Sequence, residues 1–138
     1  DVARAAKKPF VASHSNARAV CGWCRNLDDD MIRLLAQKGG VMGLNYCPAF
    51  LTDVAEGECA HGTIAAIVEH AKHIVNVGGS DCLGLGSDFD GIKPHEELPD
   101  ASYIPLLADA FAKAGFTNTQ IDKILFENVL RLYREVIG

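Results

Sequence analysis

The run VMGLN, Val41–Asn45, decides how this chain folds. It is too short for a helix, lacks strict alternation, and mixes β-formers with a small residue. Strands of that composition lie in parallel sheets and are covered on both faces. Two further runs share the character, PFVAS at Pro9–Ser13 and CLGLG at Cys82–Gly86. Between and after them lie helical patterns. The stretch from about Asp28 to Lys38 opens on Asp28, Asp29 and Asp30 and stops at Gly39-Gly40. Negative charge there complements the helix dipole, and the glycines end the helix. From about Thr63 to Val77, the residues Ile64, Ile67, Val68, Ala71 and Val75 form one apolar stripe. A third helix, about Ser102 to Ala114, turns Ile104, Leu107, Ala108 and Phe111 inward and ends at Gly115. Thr117 and Gln120 have capping-box spacing and open a last helical stretch to Ile137, in which Leu125–Val129 either continues the helix or breaks it. The opening DVARAAKK reads as the end of a helix.

Strand and helix thus alternate as β-α-β-α-β-α-α, without repeat or linker. Such alternation requires right-handed crossovers and a parallel sheet, so the expected class is α/β. Three strands leave two raw edges, a liability for a free-standing domain. The pattern fits the last part of a larger α/β structure, and self-association through the edges is expected. The chain's start at Asp1 rather than Met also reads as that of a fragment.

Composition narrows the class further. The chain has 138 residues, enough for one domain with a core, and a net charge of −5 without any Lys/Arg cluster. Neither feature suits a nucleic-acid surface. No apolar run approaches the ~20 residues that cross a bilayer, and no signal peptide opens the chain. The cysteines, Cys21, Cys24, Cys47, Cys59 and Cys82, are odd in number and scattered among apolar positions. That is not a disulfide framework, and a reducing cytoplasmic setting is expected.

In parallel α/β folds the reactive groups gather at the C-terminal ends of the strands. Here those ends carry Ser13-His14-Ser15, Asn45-Tyr46, and Ser87-Asp88-Phe89-Asp90-Gly91. His14 is either a metal ligand, since neutral imidazole suits zinc, or a histidine bonded to backbone. Asp88 either caps the turn that follows or accepts a proton in a cleft. Other motifs carry less. CGWC, Cys21–Cys24, resembles a redox pair but begins well after the strand end rather than at a helix N-terminus. GLGSDFDG lacks dinucleotide-loop spacing, and DFDG is too short for a calcium loop. His70 and His73 fall off the apolar stripe of their helix and are expected to face water.

Together FVASHSNARAVCGWCRN (Phe10–Asn26) and GLGSDFDG (Gly84–Gly91) resemble the membrane (renal-type) dipeptidases, the M19 zinc peptidases. VMGLNY and FTNTQIDKILFENVLRLYREV (Phe116–Val136) extend the resemblance over essentially the whole chain. It implies that residues 1–138 are the C-terminal portion, about three β/α units, of a TIM-type (β/α)8 barrel. It also implies two zinc ions at the C-terminal rim and dipeptides as substrate. His14 would ligate one zinc. Arg25, eleven residues on, would bind the substrate's terminal carboxylate, with Tyr46 beside it on the substrate side. Asp88 would transfer the proton at the scissile bond. Ser87 departs from the family, which has a glycine there. The family's His-x-Asp pair, bridging glutamate and further histidine have no matching motif in this chain. The chain alone is therefore expected to bind no zinc and to be inactive, as part of a bacterial enzyme that forms homo-oligomers. Two rival expectations are another metal-dependent hydrolase on the same barrel, acting on a lactone, amide or phosphoester, and a non-catalytic piece.

Overall fold

The computed structural model describes residues 2–55 and 60–138, so Cys59 lies outside the described residues. A short helix α1 (Val2–Ala5) leads into strand β1 (Val11–Ala12), helix α2 (Asp29–Gln37) and strand β2 (Val41–Asn45). Helices α3 (Pro48–Leu51) and α4 (Ile64–Gly78) come next, then strand β3 (Leu83–Ser87). Helices α5 (Ile104–Lys113), α6 (Asn118–Asp122) and α7 (Asn128–Val136) close the chain. The strands pair in parallel in the order β1-β2-β3, with Val11 opposite Val41 and Met42 opposite Leu83.

β2 has the bounds expected of it and is buried along its whole length, as a central parallel strand should be. β1 is shorter than PFVAS suggests, because the chain leaves the ladder after Ala12. As the outer strand, it leaves Val11 52% exposed, so cover on both faces fails there. Alternation sends Met42, Leu44 and Tyr46 to one face of β2, where they join Ile32, Leu35, Ile67, Ile74, Leu107 and Phe111 in the core. Full burial of each such side chain is worth roughly 1.5–3 kcal/mol. Val41, Gly43 and Asn45 fall on the other face.

Local chemistry sets the helix bounds. Asp28 caps α2 by accepting from the Met31 N–H at 2.8 Å, and Thr63 caps α4 by accepting from the Ala66 N–H at 3.2 Å. Past the helix ends, Gly39, Gly79 and Gly115 take φ of 70°, 84° and 95°, a region that favours glycine. The Thr117–Gln120 capping box forms as expected. The last stretch is interrupted by a π-helical turn at Lys123–Glu127, between α6 and α7, overlapping the Leu125–Val129 span that the pattern left open. Ile121, Ile124, Asn128 and Leu132 are all buried along this stretch.

The histidines of α4 correct the expectation from its stripe. His70 is wholly buried, and His73 is partly buried against Asp29 of α2, with Nε2 and Oδ1 2.7 Å apart. α4 touches α2, α3, α5, β2 and β3, so it is covered on several sides and buries more than one apolar stripe. A polar side chain is tolerated on such a flank only when it is hydrogen-bonded, as His70 is.

Candidate functional site

The parallel register brings the ends of all three strands to one rim. Beyond the strands proper, the Ser15 N–H donates to the Gly43 carbonyl at 2.8 Å and the Tyr46 N–H to the Ser87 carbonyl at 3.0 Å. Between them the chain leaving β1 crosses close over the sheet. A Cβ on either Gly43 or Gly86 would run into the Ser13 carbonyl oxygen, so both positions must be glycine for this rim to form.

His14 stands at the tip of β1. Its Nε2 lies 3.1 Å from the Arg25 Nη2, and its Nδ1 lies 2.7 Å from the Ser13 Oγ. A guanidinium only donates, so Nε2 is the acceptor and Nδ1 carries the proton. Nε2 thus presents its lone pair to a cation, the form in which imidazole binds a metal, and here the guanidinium occupies it.

Arg25 reaches His14 because residues 17–27 form a closed Ω-loop. The Arg18 N–H donates to the Leu27 carbonyl at 2.8 Å, and the Leu27 N–H to the Asn16 carbonyl at 2.9 Å, pinching the ends together. Asn26 is buried and donates to the Cys21 and Phe50 carbonyls, both at 2.9 Å. Asp53 accepts from the Gly22 N–H at 3.0 Å. The Arg25 guanidinium lies 5.6 Å from the centre of the Phe50 ring, a cation–π contact that leaves the side chain exposed. The cysteines of CGWC belong to this loop. Cys21 and Cys24 are both free thiols, and burial pushes the Cys21 thiol up, away from the reactive thiolate.

Asp88 follows β3 with its backbone at φ 70°, and Ser87 before it stands at φ 30°. Both are left-handed conformations that cost a residue with a side chain, and such strain gathers at functional sites. The Asp88 Oδ2 accepts from the Asn45 Nδ2 at 2.9 Å. The Asn45 Oδ1 in turn accepts from the Cys47 N–H at 2.7 Å, which fixes the amide so that its NH2 faces Asp88. Asn16 then holds the Asn45 backbone from both sides, accepting from its N–H at 3.0 Å and donating to its carbonyl at 2.9 Å. Asn16, Asn45 and Asp88 thereby tie the three strand tips together.

His14, Arg25 and Asp88 therefore share one rim, and none of the three is in the core. His14 and Arg25 touch directly, whereas Asp88 connects to them through Asn45 and Asn16. Tyr46 stands elsewhere. It is 1% exposed, packs edge-on against Phe89 at 5.4 Å, and has no hydrogen-bond partner for its hydroxyl among the described residues. Burial raises its phenol above the ordinary tyrosine range. At the tip of β2 it is Asn45 that faces the rim. The period of two along the strand carries that signal, since Asn45 shares a face with Gly43 and Tyr46 does not. Among the described residues, no three His, Cys, Asp or Glu side chains are grouped as a metal ion requires.

The chain is 40% identical over 137 residues to an uncharacterized protein in the pqqA 5′ region of Klebsiella pneumoniae, covering 99% of this chain and 50% of that protein. It is 35% identical over 129 residues to the dipeptidase tcpJ of Claviceps purpurea, covering 93% of this chain and 29% of that protein. Among solved structures, a metallopeptidase from Rhodobacter sphaeroides superposes with a TM-score of 0.86 at 31% identity, over 97% of this chain and 38% of that one. The chain thus spans about half the length of the first relative and less of the other two. The fold is α/β, part of a TIM-type (β/α)8 barrel. The family model of the membrane dipeptidases, peptidase family M19, matches residues 1–137, and the chain belongs to that family.

Proposed function

We propose that this chain supplies the carboxylate-binding and proton-transferring groups for the hydrolysis of dipeptides by a zinc metallopeptidase. One observation carries the proposal: the Ω-loop returns Arg25 to His14 on the same rim that holds Asp88. The Rhodobacter structure holds a phosphinate mimic of the dipeptide L-Ala-D-Ala, which supports the substrate class.

Arg25 carries an exposed, permanently charged fork suited to a two-pronged bond with a free carboxylate. Holding the substrate by that end excludes peptides whose chain continues. Asp88 accepts a hydrogen bond only from the Asn45 amide among the described side chains, so its carboxylate keeps acceptor capacity. In that state it takes the proton of the attacking water and returns it to the leaving amine. His14 offers one ligand to zinc, which takes three or four from protein. The described residues do not make a zinc site by themselves, and the work assigned to this chain is that of Arg25 and Asp88.

The test uses the protein that carries this chain, supplied with zinc, on a free dipeptide and on its C-terminal amide. The dipeptide is expected to be cleaved and the amide spared. Arg25→Lys should raise KM roughly 10- to 100-fold, the worth of one charged hydrogen bond. Asp88→Asn should lower kcat by about 100-fold or more with metal content unchanged. Equal cleavage of amide and free dipeptide would overturn the role of Arg25, and metal loss in the Asp88 variant would overturn that of Asp88.

A further inference from the structure

The buried histidine of α4 has both ring nitrogens in use. The Ala17 N–H donates to His70 Nδ1 at 3.1 Å, and His70 Nε2 lies 3.0 Å from the Leu51 carbonyl oxygen. An N–H must donate and a carbonyl must accept, so the ring is neutral with its proton on Nε2. Ala17 is the root of the Ω-loop: it is wholly buried, and its carbonyl accepts from the Val20 and Cys21 N–H groups, both at 3.2 Å. Leu51 belongs to α3, whose neighbouring residue Phe50 accepts from Asn16 and Asn26 and lies under Arg25.

We infer that His70 is a positioning residue for Arg25, a clamp that fixes the root of the Ω-loop against α3 through one neutral tautomer. A protonated ring could still donate to Leu51, but it would turn a second N–H toward the Ala17 N–H. Protonation therefore releases the loop side of the clamp and keeps the α3 side.

Burial depresses the pKa of His70 below the ordinary histidine range, and desolvation is the largest cause. The charged groups facing it are His73 and Glu69 on α4 and Asp53 beyond α3. His73 opposes protonation, whereas Glu69 and Asp53 favour it. From the loop, the Arg18 guanidinium is turned toward the Asn26 and Cys24 carbonyls and Asp28. Because the folded chain favours the neutral ring, the clamp is intact above about pH 6.5 and weakens as pH falls below that value.

The chain carries a single tryptophan, Trp23, and it sits in this loop with its ring 5.9 Å from that of Phe50. Its emission therefore reports whether the loop is seated. The consequence for substrate binding rests on the proposed role of Arg25, but the test below does not. In long-range 1H–15N spectra of the full chain, His70 is expected as the Nε2–H tautomer at neutral pH. It should titrate below the ordinary histidine range, and the Trp23 emission should shift red with the same midpoint. His70→Asn places an amide oxygen near the position of Nδ1. It should keep the emission of the neutral protein and lose the acid transition. His70→Gln reaches toward Leu51 without replacing the acceptor for Ala17, and should be red-shifted already at neutral pH. An Nδ1–H tautomer, a titration of His70 within the ordinary histidine range, or an acid transition retained in His70→Asn would each overturn the clamp. Failure of the protein that carries this chain to cleave dipeptides, with these signals intact, would count against the peptidase proposal and leave the clamp standing.

Discussion

Ser87 and Asp88 hold left-handed backbone in succession, and only the second has a side chain that uses the position. The Asp88 carboxylate is aimed by that conformation at the Asn45 amide. Ser87, at φ 30°, makes no side-chain hydrogen bond among the described residues that would offset its strain. A side chain in that region costs roughly 1–2 kcal/mol, and a glycine returns about 0.5–1 of it through the freer unfolded chain. Ser87→Gly is therefore expected to stabilise the protein by about 0.5–1 kcal/mol, seen as a higher Tm in a thermal melt. A lower Tm would mean that the serine hydroxyl holds the turn. His14 and Asp88 were legible as rim residues because each follows a recognisable strand tip, whereas Arg25 was legible only through the family resemblance. Asn16 and Asn45 were not, because their value lies in hydrogen bonds between strand tips far apart in sequence, which spacing cannot display. His70 was misplaced for a related reason. A helical wheel describes one element, while burial of His70 comes from the several elements packed around α4.

Among the elements, the last helical stretch shows how a polar residue can anchor a helix. Asn128, at the start of α7, is 3% exposed and donates to the Ser80 carbonyl at 2.7 Å and the Leu83 carbonyl at 2.8 Å. It thus holds α7 against the entry to β3, whose far end carries Asp88. The π-helical turn Lys123–Glu127 lies immediately before Asn128. The inward positions Ile121, Ile124, Asn128 and Leu132 follow one ordinary helical stripe, so the pattern left the break open and could not show the Asn128 contacts, which depend on where β3 begins. The helix cap at Thr117 was readable because a capping box acts within three residues. α3 went unread, being a single turn after Pro48 without a pattern of its own. Asn128→Leu removes both donors while filling similar space, leaving two carbonyls without partners. It should cost about 2–4 kcal/mol in urea unfolding. A change below 1 kcal/mol would show that water replaces the amide and that α7 is held by its apolar contacts alone.

At the scale of the whole molecule, the α/β class and the parallel sheet were legible because alternation of apolar runs and helical stripes leaves few other topologies. The exposure of the first strand was not, since the same residues would read as buried wherever a neighbour covered them. β1 is the outer strand, and beside it lies an apolar groove of about 350 Å³ lined by Val2, Phe10, Val11, Leu27, Met31 and Leu34. Val2, Val11, Met31 and Leu34 are 65%, 52%, 46% and 39% exposed, a cluster of water-facing apolar side chains flanking an open sheet edge. Edges of this kind pair with other chains unless a charge blocks them. The net charge of −5 opposes contact between copies, and salt screens that repulsion over a Debye length of about 10 Å at 0.1 M. Self-association that grows with protein concentration is therefore expected in light scattering, and it should strengthen as salt rises. An interface held by ion pairs would weaken instead. Val11→Lys puts a charge in the middle of the groove and should shift the protein toward monomer with little change in Tm, because Val11 is already half exposed. A monodisperse monomer at high concentration in 0.5 M salt (Debye length roughly 4 Å) would show that the β1 edge and its groove are not sticky, and the cluster would then be an ordinary apolar surface.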